Sequence, residues 1–329
     1  MKTFIRMVLG YDPDSQDMEG GALGVVRAYY GCVEAQGRGT LHCHMLVWVE
    51  GGLNPDEIKA RLMKDGEADF RRKLVEFLDD TISTCMPDAP PVRVKVPSSK
   101  CHPSAVRGIQ KSVPEHLRDH AVQQDYRNLV AKSQLHKHLA TCYKYCKGTT
   151  LECRFELGGD KRRPETIVDT DTGEIHLRRL DGWVNNFNET MIHSIRCNMD
   201  IKFIGSGASA KAVLYYITDY ITKSKLKANV AYAALELSIK KLGDFDPEED
   251  SVTVRTKHLL QRCAYSMMSK QELSGQEVAM YLSGYQDHYT SHSFRNVYWS
   301  NFERAVEAMD PSLECHRPWL RIIFSGVLD

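Results

Sequence analysis

The stretch VEAQGRGTLHCHMLVWVE, residues 33–50, decides how this chain is read. Gly37-Arg38-Gly39-Thr40 supplies turn residues, and LHCHMLVWVE (41–50) after it alternates. Side chains on a strand point to opposite faces with a period of two. Leu41, Cys43, Met45, Val47 and Val49 therefore share one face, and His42, His44 and Leu46 the other. LGVVRAYYGCVEAQ (23–36), rich in Val and Tyr, predicts the partner strand of a hairpin that Gly51-Gly52 ends. Two imidazoles at i and i+2 on a strand can reach one ion. Glu34 and Gln36 have the same parity on the neighbouring strand and offer oxygen ligands. Two imidazoles and one oxygen, with positions left for water and phosphate, suit Mg²⁺ or Mn²⁺ better than a closed Zn²⁺ site. The same spacing also fits two solvent-facing histidines on an edge strand.

Outward from the hairpin the chain reads as α+β. Residues 54–83 are charged, with apolar Ile58, Leu62, Phe70, Leu74, Phe77 and Leu78, and predict one or two helices. Five prolines between 85 and 107 mark a loop region or boundary. Asp171-Thr172-Gly173 predicts a hairpin turn, and 208–227 and 269–284 have helical periodicity. A length of 329 residues fits about two domains. With 42% hydrophobic and 26% charged residues the composition is that of a globular protein, which excludes a wholly disordered chain or a coiled coil. No apolar run approaches the roughly 18 residues of a membrane span. Arg6 breaks the only apolar stretch of the N-terminus, so no signal peptide is expected. Ten cysteines without such a signal point to a reducing compartment, with thiols free or on metal. The 43 basic and 43 acidic residues cancel, so any case for nucleic acid rests on local charge. Residues 91–163 carry 15 Lys+Arg against 6 Asp+Glu, an excess of nine, while GDFDPEED (243–250) holds compensating acid, expected as a solvated loop.

Two further stretches carry chemistry. In LYYITDYITKSK (214–225), Tyr216 and Tyr220 share a helix face at i, i+4 and Lys223 extends it. Tyr215 is turned about 100° away. These tyrosines fit amphipathic packing, or a phenol nucleophile on phosphorus. The phenol is only about 0.1% ionised at neutral pH and needs a cation or base beside it. In HKHLATCYKYCKGTTLECRFE (136–156), His136, His138, Cys142, Cys146 and Cys153 are five zinc-type ligands within 18 residues. His138, Cys142 and Cys153 lead, the fourth ligand is open, and Cys101 and His102 are further candidates; reduced surface thiols are the other reading. Arg154, Lys161, Arg162 and Arg163 follow this cluster and are candidate phosphate contacts, with Lys225 and Lys227 beside Lys223 as the other basic end. GSGASAKA (205–212) does not have the GxxxxGK[ST] spacing, so a P-loop is rejected.

Together, VEAQGRGTLHCHMLVWVE (33–50), NNFNETMIHSIRCNMDIKFIGSGASAKAVLYYITDYITK (185–223) and KQELSGQEVAMYLSGY (270–285) resemble the Rep nuclease domain of Helitron transposons, of fungal type, within the HUH rolling-circle endonucleases. The resemblance runs from about residue 20 to about 300. It implies a ferredoxin-like antiparallel palm with the His-x-His strand in its middle and the tyrosine helix across one face. It divides the chain into 1–84 and 166–300, the two parts of the nuclease domain, 85–165, a basic and zinc-binding insertion, and 301–329, an extension. It implies a nuclear enzyme that nicks and rejoins single-stranded DNA. His42 and His44 with Gln36 or Glu34 would hold Mg²⁺ or Mn²⁺, Tyr216 or Tyr220 would form a 5′-phosphotyrosine, and Lys223 would contact phosphate. A structural Zn²⁺ is the second expected metal. The family carries a helicase after this part and a longer region before it. This chain has no Walker A motif, so a catalytically inactive DNA-binding relic or domesticated fragment is the alternative, and a zinc-dependent RNA- or protein-binding scaffold a third. No membrane partner is expected.

Overall fold

The hairpin forms where the alternation and turn residues place it: β1 spans Val26–Gln36 and β2 Thr40–Val49. This computed structural model describes residues 1–14, 20–36, 40–109, 113–144, 146, 151–205, 212, 215, 228–240, 252–269, 273–293, 304 and 308. A short helix, α1 (Lys2–Met7), precedes the hairpin. After it come α2 (Pro55–Met63) and α3 (Ala68–Thr81), the two helices expected in 54–83. Asn54 caps α2 by accepting from the Glu57 amide at 2.8 Å, with Pro55 at the position where a missing N–H costs nothing. The proline-rich stretch after 85 has only single 3₁₀ turns, and α4 (Arg118–Ser133) follows. Then come the two-residue strands β3 (Ile167–Val168) and β4 (Ile175–His176), α5 (Glu189–Ile195), α6 (Ala228–Lys240), α7 (Val252–Ser269), α8 (Gly275–Leu282) and β5 (His288–Thr290). The chain is mixed α and β with small antiparallel sheets, as expected.

Asp171-Thr172-Gly173 does join an antiparallel pair, β3 with β4. The Asp169 carboxylate accepts from the Asp171 and Thr172 amides at 2.8 and 3.1 Å, and Gly173 takes the left-handed φ of 71° that closes the turn. The larger sheet corrects one expectation. Its order is β2-β1-β5, so among the described residues the His-x-His strand β2 lies at the edge and β1 in the middle. The physical reason is that β1 spends its second edge on the segment entering β5, where the Val33 amide donates to the Asp287 carbonyl at 2.6 Å.

The chain divides into two compact units: residues 1–30 with 46–218, and 31–45 with 219–329. The hairpin gives its base to the first and its tip to the second. Residues 85–165, expected as an insertion, fall wholly inside the first unit.

The core of the first unit is Leu129 and Val130 of α4 against Val184, Phe187 and Ile192, all fully buried, with Met86, Tyr126, Leu135 and Met199 packed around them. Burying each such side chain stabilises by about 1.5–3 kcal/mol. Backbone pairings carry the chain through this core: Ser83 with Phe187, and Leu135 with Val184. Asn188 ties three segments. Its Oδ1 caps α5 by accepting from the Met191 amide, and its Nδ2 donates to the carbonyls of Thr81 and Ala22. The α5 C-terminus ends on Arg196 in a left-handed conformation (φ 56°), whose guanidinium makes two 2.8 Å bonds to Asp125 of α4. This ion pair is buried, with side-chain exposures of 10% and 5%. Burial pushes the Asp125 carboxyl up, but the bonds from Arg196 and Ser98 and the guanidinium charge outweigh it and hold the group below the usual carboxylate range.

In the second unit α6 packs on α7, burying Ala234, Ser238 and Cys263. Helix α8 starts on a reciprocal cap in which Ser274 and Glu277 exchange hydrogen bonds. Among the described residues no helix is long and apolar enough to cross a membrane.

Candidate functional site

The hairpin tip brings His42 and His44 together as the strand period requires: their rings meet edge to face with centroids 4.6 Å apart. Glu34 of β1 shares that face, its Oε2 3.6 Å from His44 Nε2. Two ligands each about 2.1 Å from one ion can span that gap. The opposite face is packed: a side chain at Gly31 would strike the Met45 methyl at 2.9 Å, leaving the glycine to make room for Met45 and Cys43. Burial, and then Cys32, push the Cys43 thiol up to about 11. The face expected to be open is less so than the alternation suggested. Every residue from His42 to Val47 is partly buried, and the His44 side chain keeps only 13% exposure. Gln36 ends β1, and its side chain lies outside the described residues.

Tyr216, Tyr220 and Lys223, with Lys225 and Lys227, lie outside the described residues, as do 206–211 of the glycine-rich stretch and the acidic 243–250. Tyr215 is described and is 77% exposed.

In the first unit the second cluster closes. His136, His138, Cys142 and Cys153 place their ligand atoms all within 4.8 Å of one another, the one such group of His, Cys, Asp and Glu among the described residues. His136 Nε2 is 3.5 Å from Cys142 Sγ and 3.4 Å from Cys153 Sγ. A tetrahedral Zn²⁺ with ordinary Zn–N and Zn–S bonds needs N···S edges of about 3.5 Å, so the donor set fits this ion in number and type, and the two edges from His136 fit it in length. His136 stands in the group beside the three leading candidates, and Cys146 does not, its thiol donating to the Glu152 carbonyl at 3.1 Å. Cys101 and His102 do not join this group: the first donates to the Pro97 carbonyl and the second pairs with Ser104.

Local structure explains why these four meet. His136 follows α4 directly, and its amide donates to the Trp183 carbonyl at 2.8 Å, fixing the chain beside the core pairing of Leu135 with Val184. Cys142 lies in a 3₁₀ turn, 2% exposed, its Sγ accepting from the Leu139 amide at 3.3 Å. The Arg154 amide then donates to the Cys142 carbonyl at 3.0 Å, which returns Cys153 to the turn. Burial, and next His138, lower the His136 pKa and favour the neutral imidazole a metal needs. By contrast, burial pushes the thiols of Cys85 and Cys197 up, as befits inert packing residues.

The basic candidates divide. Lys161 and Arg162 are exposed, Lys161 with Asp160 at 3.2 Å, and Arg154 is exposed with its guanidinium 4.5 Å over the Phe155 ring. Arg163 is structural: its guanidinium donates to the Leu177 carbonyl, and its backbone pairs with Arg179. The linear reading missed Trp183, which meets the His138 ring edge-on at 5.0 Å. It also missed Asp287, which accepts from the Tyr281 hydroxyl and pairs with His288, both at 2.7 Å. That bond, and then burial, push Tyr281 up to about 12. No spacing in the sequence ties Trp183 to His138 or Asp287 to Tyr281.

Among known families, residues 1–47 match the Helitron helicase-like domain at N-terminus. The match includes both histidines of the hairpin and supports a Helitron-related protein. No curated protein and no solved structure matches the chain.

Proposed function

We propose that this chain is a Helitron-type Rep endonuclease that nicks and rejoins single-stranded DNA through a 5′-phosphotyrosine. The observation that carries the reading is the convergence of His42, His44 and Glu34 on one face of a hairpin that falls within the Helitron-like match. Those three side chains, or Gln36 in place of Glu34, would hold Mg²⁺ or Mn²⁺. Such an ion, when bound, polarises the scissile phosphate and neutralises charge that builds in the transition state. The remaining chemistry belongs to the chain. Tyr216 or Tyr220 attacks phosphorus through its phenol oxygen, the P–O bond to the 3′-oxygen breaks, and that oxygen leaves as a hydroxyl. The phosphodiester energy is kept in the tyrosyl ester for rejoining. The second tyrosine allows one strand to be held while another is cut, and Lys223 contacts phosphate as a point charge. The His136, His138, Cys142 and Cys153 cluster is a structural Zn²⁺ site, and the basic residues after it contact the strand. The enzyme would act in the nucleus, with a helicase opening the duplex.

The test is cleavage of single-stranded oligonucleotides with Mg²⁺ or Mn²⁺, followed on a denaturing gel. Wild type should give a covalent protein–DNA adduct, and Tyr216→Phe or Tyr220→Phe should remove it while Tyr215→Phe does not. No adduct from wild type with either ion, or loss of the adduct only in Tyr215→Phe, would refute the mechanism.

A further inference from the structure

Two large aromatic side chains stand exposed beside the His/Cys cluster, and neither packs into the core. Trp183 is 37% exposed and Phe155 48%. Each is backed by one histidine of the cluster: Trp183 edge-on to His138 at 5.0 Å, Phe155 edge-on to His136 at 5.6 Å. Trp183 is also fixed from behind. Its carbonyl accepts from His136, its amide donates to Asp181 Oδ1 at 2.9 Å, and the turn at Gly159 runs so close that a side chain there would lie 3.3 Å from the indole nitrogen. The adjacent Gly182 has no room for any side chain, since its Cβ would overlap the Gly158 carbonyl at 1.9 Å. An exposed aromatic held as firmly as Trp183 loses little entropy when something lies on it. Basic side chains stand beside them: Arg154 over Phe155, and, on the turn that backs Trp183, Arg162 and Lys161, the latter paired with Asp160 at 3.2 Å.

We propose that Trp183 and Phe155 are a stacking platform for unpaired bases of single-stranded DNA, with Arg154, Lys161 and Arg162 taking the adjoining phosphates. The choice of DNA rests on the nuclease reading above; the platform itself rests on two exposed rings, the fixed one of Trp183 among them, and on the basic side chains beside them. Every base offers a π-face, so the platform grips a strand without choosing its sequence, and a duplex, whose bases are already stacked, is excluded. The platform thus supplies what phosphate contacts cannot, discrimination of unpaired from paired DNA.

Binding is measured with full-length, zinc-loaded protein and no added Mg²⁺ or Mn²⁺. The probes are a short mixed-sequence single strand, an abasic strand of equal length, the duplex and the matching RNA. Phe155→Leu and Trp183→Leu should each weaken binding to the base-bearing DNA by about 5- to 100-fold, leave the abasic strand unchanged, and keep the slope of affinity against salt. Because Trp183 backs a histidine ligand, zinc content is measured in both variants; if Trp183→Leu loses metal, the more exposed Phe155→Leu decides. Equal losses on base-bearing and abasic strands, or no loss in Phe155→Leu, would overturn the platform. RNA bound tenfold tighter than DNA through the same rings would overturn the assignment to DNA. Nicking is assayed on the same preparations: a wild type that stacks bases but never cleaves refutes the nuclease reading alone, and one that cleaves without aromatic dependence refutes the platform alone.

Discussion

Two His-x-His pairs stand in this chain, one in each compact unit, and their rings meet in nearly the same way. The centroids are 4.6 Å apart at 72° for His42 and His44, and 5.0 Å at 84° for His136 and His138. Their surroundings differ. The first pair sits on a regular strand, so the period of two alone aligns the rings, and the donor beside it is the hard carboxylate oxygen of Glu34. The second pair sits in irregular chain after α4 and meets two soft sulfurs from a turn and its return. His-x-His spacing therefore brings two imidazoles together and no more. The third and fourth donors select the ion, with oxygen and open positions for Mg²⁺ or Mn²⁺, and two thiolates for closed, tetrahedral Zn²⁺.

The comparison breaks most visibly if the thiolates are removed. Cys142→Ser or Cys153→Ser should abolish stoichiometric zinc and lower stability by several kcal/mol, because the binding energy of a structural zinc is folding energy. Metal analysis and thermal unfolding read this, and a variant that keeps its zinc would show that the four-ligand set is wrong. His44→Ala should do the reverse. Zinc content stays, while nicking falls by about 10²–10³-fold, the cost of losing one preorganised electrostatic partner of the transition state. Because His44 is only 13% exposed, its stability must be measured alongside, and His44→Gln keeps the volume.

Acid sharpens the contrast within the first unit. Protonation of the His/Cys cluster should release the proposed zinc first. Asp125, held below its usual range against Arg196, contributes stability that is fully present above its unfolded value of about 3.9 and is lost as pH falls through the lower folded value. Asp125→Asn should remove that last acid phase and cost about 3 kcal/mol at neutral pH, since it leaves a buried guanidinium unpaired. An unchanged acid profile would place the dependence elsewhere. The smallest effect is expected from Cys146→Ser, which should leave zinc content and melting temperature within error of wild type, because its thiol points to the Glu152 carbonyl.

The two strands of the hairpin, the parity of His42, His44 and Glu34, the helices of 54–83 and the Asp171-Thr172-Gly173 turn were all legible in the sequence. Each depends on neighbours within a few residues, and a period of 2 or 3.6 carries that information. The five candidate zinc ligands were legible as a set for the same reason.

Choosing among the five needed the tertiary structure. His136 joins the group of four, its amide bonded to the Trp183 carbonyl, whereas the Cys146 thiol donates to the Glu152 carbonyl. The sequence left open whether the His-x-His strand lies in the middle of its sheet or at an edge, and the order among the described residues, with β1 in the middle, rests on the bond from Val33 to Asp287, a residue far along the chain. The burial of His44, the Asp125–Arg196 pair and the exposed rings of Trp183 and Phe155 belong with these. Residue types and local periodicity determined by themselves which chemistry this protein can carry. Which side chains share a site was decided by backbone hydrogen bonds and core packing between distant segments, whose partners no local pattern specifies.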